Sequence, residues 1–401
     1  MGNKFPRPND INFPEVQNKT QYRFKEASKL ELTDKVLLSL CTLQSGNILI
    51  SYSFRNDKKL ELKSGIAIYN VPNLRLVQKY TFDSEIEDIT YSIDSAIQLI
   101  NGNIFAICDR LYIFDGENIK DGPKTTSELI DESACKARPL IFKDPEDKFR
   151  IREIKKSARI FLCEFMMEVK EGIVLYTYEH NFDIYLLDIA NLETRGTSVY
   201  SRQLYEMDII CKSKYYPDNL YICANQSATK ANSILLIFNI DDFCDKEKKP
   251  KKPSFSMTIS ESQNVYGLCE YDKKYLLLDT INNGIYIIDM ESRQKVAVSA
   301  SESQALHIFL KFTGNKKDAS KDSSDRFVPV YRNMERLKDG QVLTVQTFFE
   351  RGYRSQFFIV DVKEQKKVGY FLSSGKFVLI GNYIVSLYVS GRLSVIQICE
   401  D

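Results

Sequence analysis

Ile184-Tyr185-Leu186-Leu187-Asp188-Ile189 is the clearest copy of the short pattern that decides the fold of this 401-residue chain. Three or four apolar residues run together, a polar residue follows, and another apolar residue usually comes next. Runs of this length that end at Asp or Asn are typical of strands buried on both faces. The pattern occurs seven times, at residues 66–71, 111–116, 184–189, 235–240, 285–290, 357–362 and 393–398.

A turn followed by an apolar strand precedes each copy, as in Ser45-Gly46-Asn47 before Ile48-Leu49-Ile50. Gly, Asn and Asp accept the backbone conformations of tight hairpin turns. A further apolar strand precedes most of these turns, and a more polar strand follows the repeat, for example from Arg75 to Phe82. Each unit therefore reads as four antiparallel strands, a to d, which is the blade of a propeller.

The repeat predicts an all-β fold, a seven-bladed β-propeller that occupies residues 21–401 as one domain after an N-terminal extension, residues 1–20. Only three strands follow residue 375, whereas the stretch from Tyr22 to Leu32 has the character of a strand and precedes the first full blade. We expect this stretch to supply the outer strand of the last blade and so to close the ring. Three segments that break the rhythm are expected to be insertions, near 116–157, 241–252 and 302–330.

The chain resembles the WD-repeat-like propellers, although it lacks their signature residues. Asp follows the apolar run in Phe114-Asp115, Leu187-Asp188, Ile288-Asp289 and Val360-Asp361, where that family has Trp-Asp. The sequence contains no Trp, and no Gly-His pair occurs. The resemblance implies a rigid disc that binds proteins through its loops.

Composition narrows the classes of function. The chain has 55 Lys and Arg against 54 Asp and Glu, so it lacks the basic surplus of most nucleic-acid-binding proteins. No apolar run is long enough for a transmembrane segment. The nine cysteines form no CxxC pair and mostly lie in apolar runs, which indicates buried reduced thiols and a cytoplasmic location.

Catalytic and metal-binding constellations are poorly represented. His180 and His307 are the two histidines; a loop position is expected for the first and a partly buried one for the second. We expect no cofactor and no metal site. The alternative is a metal-dependent propeller hydrolase or lactonase, whose channel carboxylates would come from the a strands: Asp88, Glu164, Asp208 and Glu270.

Three further motifs favour ordinary structural explanations. Residues 369–376 do not fit a phosphate-binding loop, because five residues separate Gly369 from Gly375, and strand d, a turn and the next a strand account for them. The lysine-rich stretch 246–252 is expected to be a solvated loop. N-terminal lipidation at Gly2 stays an alternative, although Pro6 stands where the motif requires Ser or Thr.

These observations favour a non-catalytic scaffold or adaptor that binds other proteins, such as a component of a cytoskeletal or ciliary assembly. In a propeller the b–c and d–a loops share one rim, and the a–b and c–d loops share the other. The a–b turns are expected to be tight and to offer little to a partner. We therefore predict the protein-binding surface on the b–c rim, in loops 55–64 and 351–355, with Arg55, Arg351, Tyr353 and Arg354 as anchors.

Overall fold

In a computed structural model, the strands of this chain form seven four-stranded antiparallel sheets arranged in a ring. The structure describes residues 14, 20–32, 34–56, 61–82, 95–107, 110–128, 163–178, 183–190, 193–197, 206–225, 233–245, 253–260, 265–280, 284–298, 334–349, 353–363, 366–373, 376–388 and 391–400. The predicted seven-bladed propeller is confirmed.

The strands follow one another around the ring, and each sheet has the order a-b-c-d from the axis outward. Strand β1 is Tyr22–Glu31. Blade 1 comprises β2 (Lys35–Thr42), β3 (Ile48–Asn56), β4 (Glu61–Asn70) and β5 (Arg75–Thr81). Blade 2 comprises β6 (Ser95–Gln98), β7 (Ile104–Ile107), β8 (Arg110–Phe114) and β9 (Thr125–Glu128). Blade 3 comprises β10 (Cys163–Lys170), β11 (Ile173–Tyr178), β12 (Asp183–Asp188) and β13 (Glu193–Thr197).

Blade 4 comprises β14 (Glu206–Lys212), β15 (Asn219–Asn225), β16 (Ser233–Asn239) and β17 (Phe255–Ser260), with the short helix α1 (Ile240–Cys244) after β16. Blade 5 comprises β18 (Val265–Glu270), β19 (Tyr275–Thr280), β20 (Gly284–Asp289) and β21 (Gln294–Val298). Blade 6 comprises β22 (Met334–Arg336), β23 (Val342–Phe349), β24 (Tyr353–Asp361) and β25 (Lys366–Ser373). Blade 7 comprises β26 (Lys376–Ile380), β27 (Tyr383–Tyr388), β28 (Arg392–Glu400) and the N-terminal β1.

The middle strands of a blade are mostly apolar because both of their faces are buried, and the polar residues among them are few, such as Ser51, Ser233 and Asp279. In β15, Leu220 and Ile222 pack in a cluster shared with blade 3, whereas Tyr221 and Cys223 pack in a cluster shared with blade 5. Side chains alternate between the two faces of a strand, so a strand between two neighbours needs apolar residues in sequence. This geometry explains the repeated pattern that predicted the fold.

Hydrophobic contact continues around the whole ring. The buried side chains of the described residues form seven clusters, each shared by two successive blades, and one of them joins blade 7 to blade 1. In that last cluster Ile48 and Tyr69 of blade 1 pack with Val385 and Val395 of blade 7. Each blade is therefore held by apolar burial on both sides.

The N-terminal strand closes the ring as predicted. Strand β1 pairs with β28 in antiparallel register, from Tyr22 opposite Glu400 to Glu31 opposite Arg392. Thr20, two residues before this strand, donates its N–H to Asp339 of blade 6 (3.1 Å) and accepts a hydrogen bond from the Gln341 side chain (2.9 Å). The first strand thus joins the last blade, and Thr20 is bound to blade 6.

In four copies of the repeat, the Asp or Asn after the apolar run caps the following turn. Asp289 Oδ1 accepts the N–H groups of Glu291 (2.9 Å) and Ser292 (3.0 Å), and Asp361 Oδ1 accepts that of Lys363 (3.0 Å). Asn239 does the same for Asp242 at the start of α1. A short acceptor at this point starts the turn between strands c and d.

Several expectations about loops need correction or lie outside the described residues. The first part of the expected insertion 116–157 contains the outer strand β9, so the blade continues to Glu128. The expected insertion 241–252 begins inside α1, and 302–330 lies outside the described residues. Residues 369–376 are the end of β25, a turn and the start of β26, as expected.

Removal of the N-terminal strand tests the closure of the ring. Deletion of residues 1–33 would leave β28 as a bare outer edge, and we expect a sharp fall in melting temperature or aggregation. Differential scanning fluorimetry and size-exclusion chromatography measure both effects. The exposed substitution Lys25→Ser in the same strand should change neither, and a truncated protein that stays monomeric and equally stable would contradict the assigned closure.

Gly391 offers a second test at the same junction. Its φ is +89°, and an added Cβ would lie 2.1 Å from the Leu32 carbonyl oxygen and 2.6 Å from that of Lys35. Gly46 has a similar φ of +82°, but nothing lies within 4 Å of an added Cβ. We expect Gly46→Ala to cost about 1–2 kcal/mol of unfolding free energy and Gly391→Ala at least about 2 kcal/mol more. Urea unfolding measures both, and equal costs would show that the junction is not tightly packed.

Candidate functional site

The alternation of antiparallel strands divides the loops between two sides of the disc. We call the side that carries the a–b and c–d turns the a–b rim, and the side that carries the b–c and d–a connections the b–c rim. The a–b turns are described in every blade, whereas most b–c loops fall outside the described residues. We therefore place the candidate site on the a–b rim.

A recurrent hydrogen bond links neighbouring blades on the a–b rim. A polar side chain near the end of an inner strand reaches back to the backbone of the a–b turn of the preceding blade. The pairs are Gln98 with Gln44 N–H (2.6 Å), Glu168 with Ile100 N–H, Glu270 with Lys214 N–H, and Arg336 with the Tyr271 carbonyl (2.8 Å). These bonds hold the turns in fixed positions, because each turn is bound both to its own hairpin and to the next blade.

Glu270 has the most extensive of these interactions. Its carboxylate accepts hydrogen bonds from the Ser213 hydroxyl, the Lys214 N–H and the Tyr221 hydroxyl, the last at 2.9 Å. Tyr221 is fully buried; its burial, and next the nearby negative charge of Glu270, raise the pKa of its phenol. The phenol therefore stays protonated and donates to the carboxylate.

The acidic residues considered for a metal in the channel occupy different positions along their strands. Glu270 pairs with the second residue of its b strand, as Glu168 and Lys212 do in their blades. Glu164 and Asp208 stand four residues earlier, at bulges in their strands, which corresponds to roughly 13 Å along a strand. Asp88 lies outside the described residues. Within the part of the chain that the structure describes, no three His, Cys, Asp or Glu side chains form a group that could hold a metal.

A small pocket of about 30 Å³, room for roughly one water molecule, opens on this rim between the inner strands of blades 4, 5 and 6. Its apolar lining consists of Cys211, Leu268, Cys269 and Met334, which are all buried. Its charged lining consists of Lys212, Lys214, Glu270 and Glu335. We call this site the rim pocket.

The Cys269 thiol in the rim pocket is not activated as a nucleophile. Burial, and next the negative charge of Glu335, raise the pKa of Cys269 to about 12. A nucleophilic cysteine requires a lowered pKa, because the thiolate is the reactive form. At neutral pH the pocket therefore presents Cys269 as a small apolar group.

The a–b turn of blade 4 is larger than the sequence analysis expected. Six residues, Ser213 to Asp218, separate β14 from β15, and they include Tyr215 and Tyr216. The Tyr216 hydroxyl donates to the Lys273 carbonyl in the neighbouring turn (2.7 Å), and its N–H donates to Ser213 Oγ (2.8 Å). The expectation that every a–b turn is tight and carries little to bind with is wrong for this blade. The Tyr-Tyr-Pro sequence before Asp218 was the available signal.

Two carboxylates near the pocket are held by internal donors, whereas a third, Glu335, is partly exposed beside Lys214. Asp272 accepts the N–H groups of Lys274 and Tyr275, both at 2.8 Å, and Glu270 is occupied by the three donors already described. The side chains of Lys214 and Glu335 are 63% and 39% exposed and lie 3.9 Å apart, so this surface pair contributes little. Lys273 is exposed. The site thus offers ammonium groups to an anionic partner.

Three of the residues predicted for the b–c rim lie within strands. Arg55 lies within β3, opposite Leu62 of β4, so the predicted loop 55–64 shortens to residues 57–60. Tyr353 and Arg354 begin β24, opposite Phe349 and Phe348, rather than lying in a loop. In both hairpins the strand pairing continues past the apolar core into polar residues. The side chains of these residues, and Arg351 as a whole, lie outside the described residues.

Other predictions fall outside the described residues as well. His180, His307, the lysine stretch 246–252 and Gly2 belong to this group. The side chains of six cysteines are described, all as free thiols, and Cys211, Cys223 and Cys269 are buried. In the described part of the chain, no helix has the length and apolarity that a membrane crossing requires.

Comparison of the sequence with known protein-family models and with curated proteins finds no match in either case. The propeller architecture accordingly rests on the observed sheets and on the seven clusters between them. The more specific resemblance to WD-repeat proteins remains an interpretation of the sequence.

The buried phenol of Tyr221 makes stability depend on alkaline pH. A tyrosine in the unfolded chain titrates near pH 10, and the pKa of the folded Tyr221 phenol is higher. The contribution of Tyr221 to the free energy of unfolding is therefore complete below about pH 10 and falls as the pH rises above that value. Tyr221→Phe should make the loss of stability above about pH 10 less steep. It should also lower the unfolding free energy at neutral pH by about 1–3 kcal/mol, because the Glu270 carboxylate loses a donor.

Urea unfolding as a function of pH checks both parts of this expectation. Tyr215→Phe removes a hydroxyl from a half-exposed side chain of the neighbouring turn and should leave the profile as it is. An unchanged alkaline slope in the Tyr221 variant would show that another group controls it.

Proposed function

We propose that this protein is a non-catalytic scaffold that binds an acidic segment of a partner protein at the rim pocket. The observation that carries the proposal is the arrangement of charge there: the carboxylates of Glu270 and Asp272 accept internal hydrogen bonds, while Lys214 and Lys273 are exposed, with Lys214 beside the partly exposed Glu335. Electrostatic complementarity of this kind steers a partner and fixes its orientation. The exposed ammonium groups favour carboxylate side chains.

The turns around the site are held in place by hydrogen bonds, which favours a binding surface over a catalytic loop that moves. The turns that carry Lys214 and Lys273 are joined by the Tyr216 hydroxyl, and the first turn is bound to Glu270 of the next blade. A preorganised surface loses less conformational entropy when a partner binds. Half-exposed Tyr215 adds an aromatic side chain of the type that often anchors protein interfaces.

A place in a larger assembly, such as a cytoplasmic cytoskeletal or ciliary complex, is part of the same proposal. A disc with two rims can bind two partners at once. The surface predicted on the b–c rim, with Arg55, Arg351, Tyr353 and Arg354, is the second surface of such a scaffold. The fold supports this extension only by analogy with other propellers.

Charge reversal on the two rims tests where binding occurs. We expect Lys214→Glu combined with Lys273→Glu to weaken partner binding about tenfold, because two attractive contacts become repulsive. The melting temperature should not change, since both side chains are exposed. The matched variant on the other rim is Arg351→Glu with Arg354→Glu.

The measurement is affinity purification of tagged wild type and variants from the native cell with quantitative mass spectrometry. Proteins lost only from the Lys214/Lys273 variant, and enriched in acidic segments, would support the proposal. Loss only from the Arg351/Arg354 variant would move the site to the b–c rim. Stoichiometric calcium or zinc in elemental analysis of the purified protein would instead favour the hydrolase alternative.

A further inference from the structure

The outer strand of blade 1 exposes two aliphatic side chains. Leu76 is 44% exposed and Val77 is 48% exposed, and with Ile100 they are the exposed large hydrophobic residues of the described chain. The exposed positions of the other described outer strands carry mostly charged or small polar residues, such as Lys25 and Glu26 in β1 and Ser256 and Thr258 in β17. Charged and polar residues at such an edge normally protect it from association.

A β-bulge places these two residues next to each other on the outside. Ile68 pairs with Gln78 and Tyr69 with Leu76, so Val77 is the extra residue of β5. A bulge bends its strand and redirects a side chain. It also interrupts the ladder of backbone groups at this point, so side chains rather than a regular added strand must make the contact.

The strand is anchored on both sides of the exposed pair. Leu74 is buried in the cluster between blades 7 and 1. Tyr80 packs against the rings of Phe82 (5.4 Å between centroids) and Phe114 (5.2 Å). Gln78, which lies between the exposed pair and Tyr80, accepts a hydrogen bond from the backbone N–H of Lys120 in blade 2 (3.2 Å). Leu76 and Val77 therefore cannot turn inward without breaking packing that holds the blade.

Three basic residues lie beside the pair on the strand or on the adjoining turn, where the exposed Asp121 follows Lys120. Arg75 and Lys79 lie on the same strand and Lys120 lies on the adjoining turn, and all three are exposed. In the part of the chain that the structure describes, no acidic side chain pairs with any of them. A complementary surface must supply aliphatic groups to Leu76 and Val77 and carboxylates to the three cations.

We propose that the outer edge of blade 1 is a further docking surface, which binds a segment of a partner protein that combines aliphatic and acidic residues. This surface is distinct from the rim pocket, which lies between blades 4, 5 and 6. Burial of Leu76 and Val77 supplies the hydrophobic contribution, and Arg75, Lys79 and Lys120 select for acidic neighbours. The two surfaces together would let one disc bind two partners or two segments of one partner.

The test uses synthetic peptides of defined composition and fluorescence anisotropy. One peptide alternates Glu with Leu and Val, a second has Lys in place of Glu, and a third has Ser in place of Leu and Val. The full-length protein should bind the first peptide at least about fivefold more tightly than either of the others, because each of those lacks one of the two complementary features. Equal binding of all three, or no binding of the first, would overturn the proposal.

Variants locate the binding on the molecule. Leu76→Ser with Val77→Ser, and separately Arg75→Glu with Lys79→Glu, should each lose most of the affinity for the first peptide at an unchanged melting temperature. The control Ile100→Ser, which replaces an aliphatic residue of 54% exposure elsewhere, should retain it.

Self-association gives an independent outcome. The wild type should sediment as the same species as the Leu76/Val77 variant in analytical ultracentrifugation. A dimer that this variant abolishes would show that a second copy of the chain occupies the surface, and that result would overturn the proposed partner.

Discussion

The structure depends on apolar contact between successive blades. A four-stranded sheet alone exposes two faces, and neither can remain in water at the composition observed in strands b and c. Each blade is therefore stable only between two others, and the contact must continue until the last blade meets the first. The cluster that joins Ile48 and Tyr69 to Val385 and Val395 completes this condition. The pairing of β1 with β28 follows from the same requirement, since the last three strands need an outer neighbour.

The sequence was informative where one residue type repeats under one physical constraint. The seven apolar runs predicted the middle strands because burial on both faces favours apolar residues there, and the missing fourth strand after residue 375 predicted the role of Tyr22 to Leu32. It was uninformative where the constraint lies between blades. Glu270 looked like its neighbours Glu164 and Asp208 until the register placed it four residues further along the strand than their positions. The exposed pair Leu76 and Val77 likewise lies at a β-bulge, which no local sequence pattern predicted.

The interblade hydrogen bonds connect this architecture to the proposed role. Side chains such as Gln98, Glu168 and Glu270 fix the a–b turns of the preceding blades, so the turns behave as parts of the ring rather than as free loops. Where such a turn is long, as in blade 4, it displays Lys214 and Tyr215 on a fixed backbone. Binding surfaces on a rigid disc are then set by which side chains the turns and outer strands expose. Lys214 at the rim and Leu76 at the outer edge represent these two kinds of exposure.

Native-state hydrogen exchange of the whole protein, followed by mass spectrometry, tests the closed ring most directly. If contact between blades holds the structure together, the peptide that covers β1 should exchange as slowly as the peptide that covers β28. The b and c strands of blades 1 and 7 should be protected to the same degree as those of blade 4. Fast exchange in β1 and in blades 1 and 7, with slow exchange confined to the blades between them, would show an open array and contradict the account.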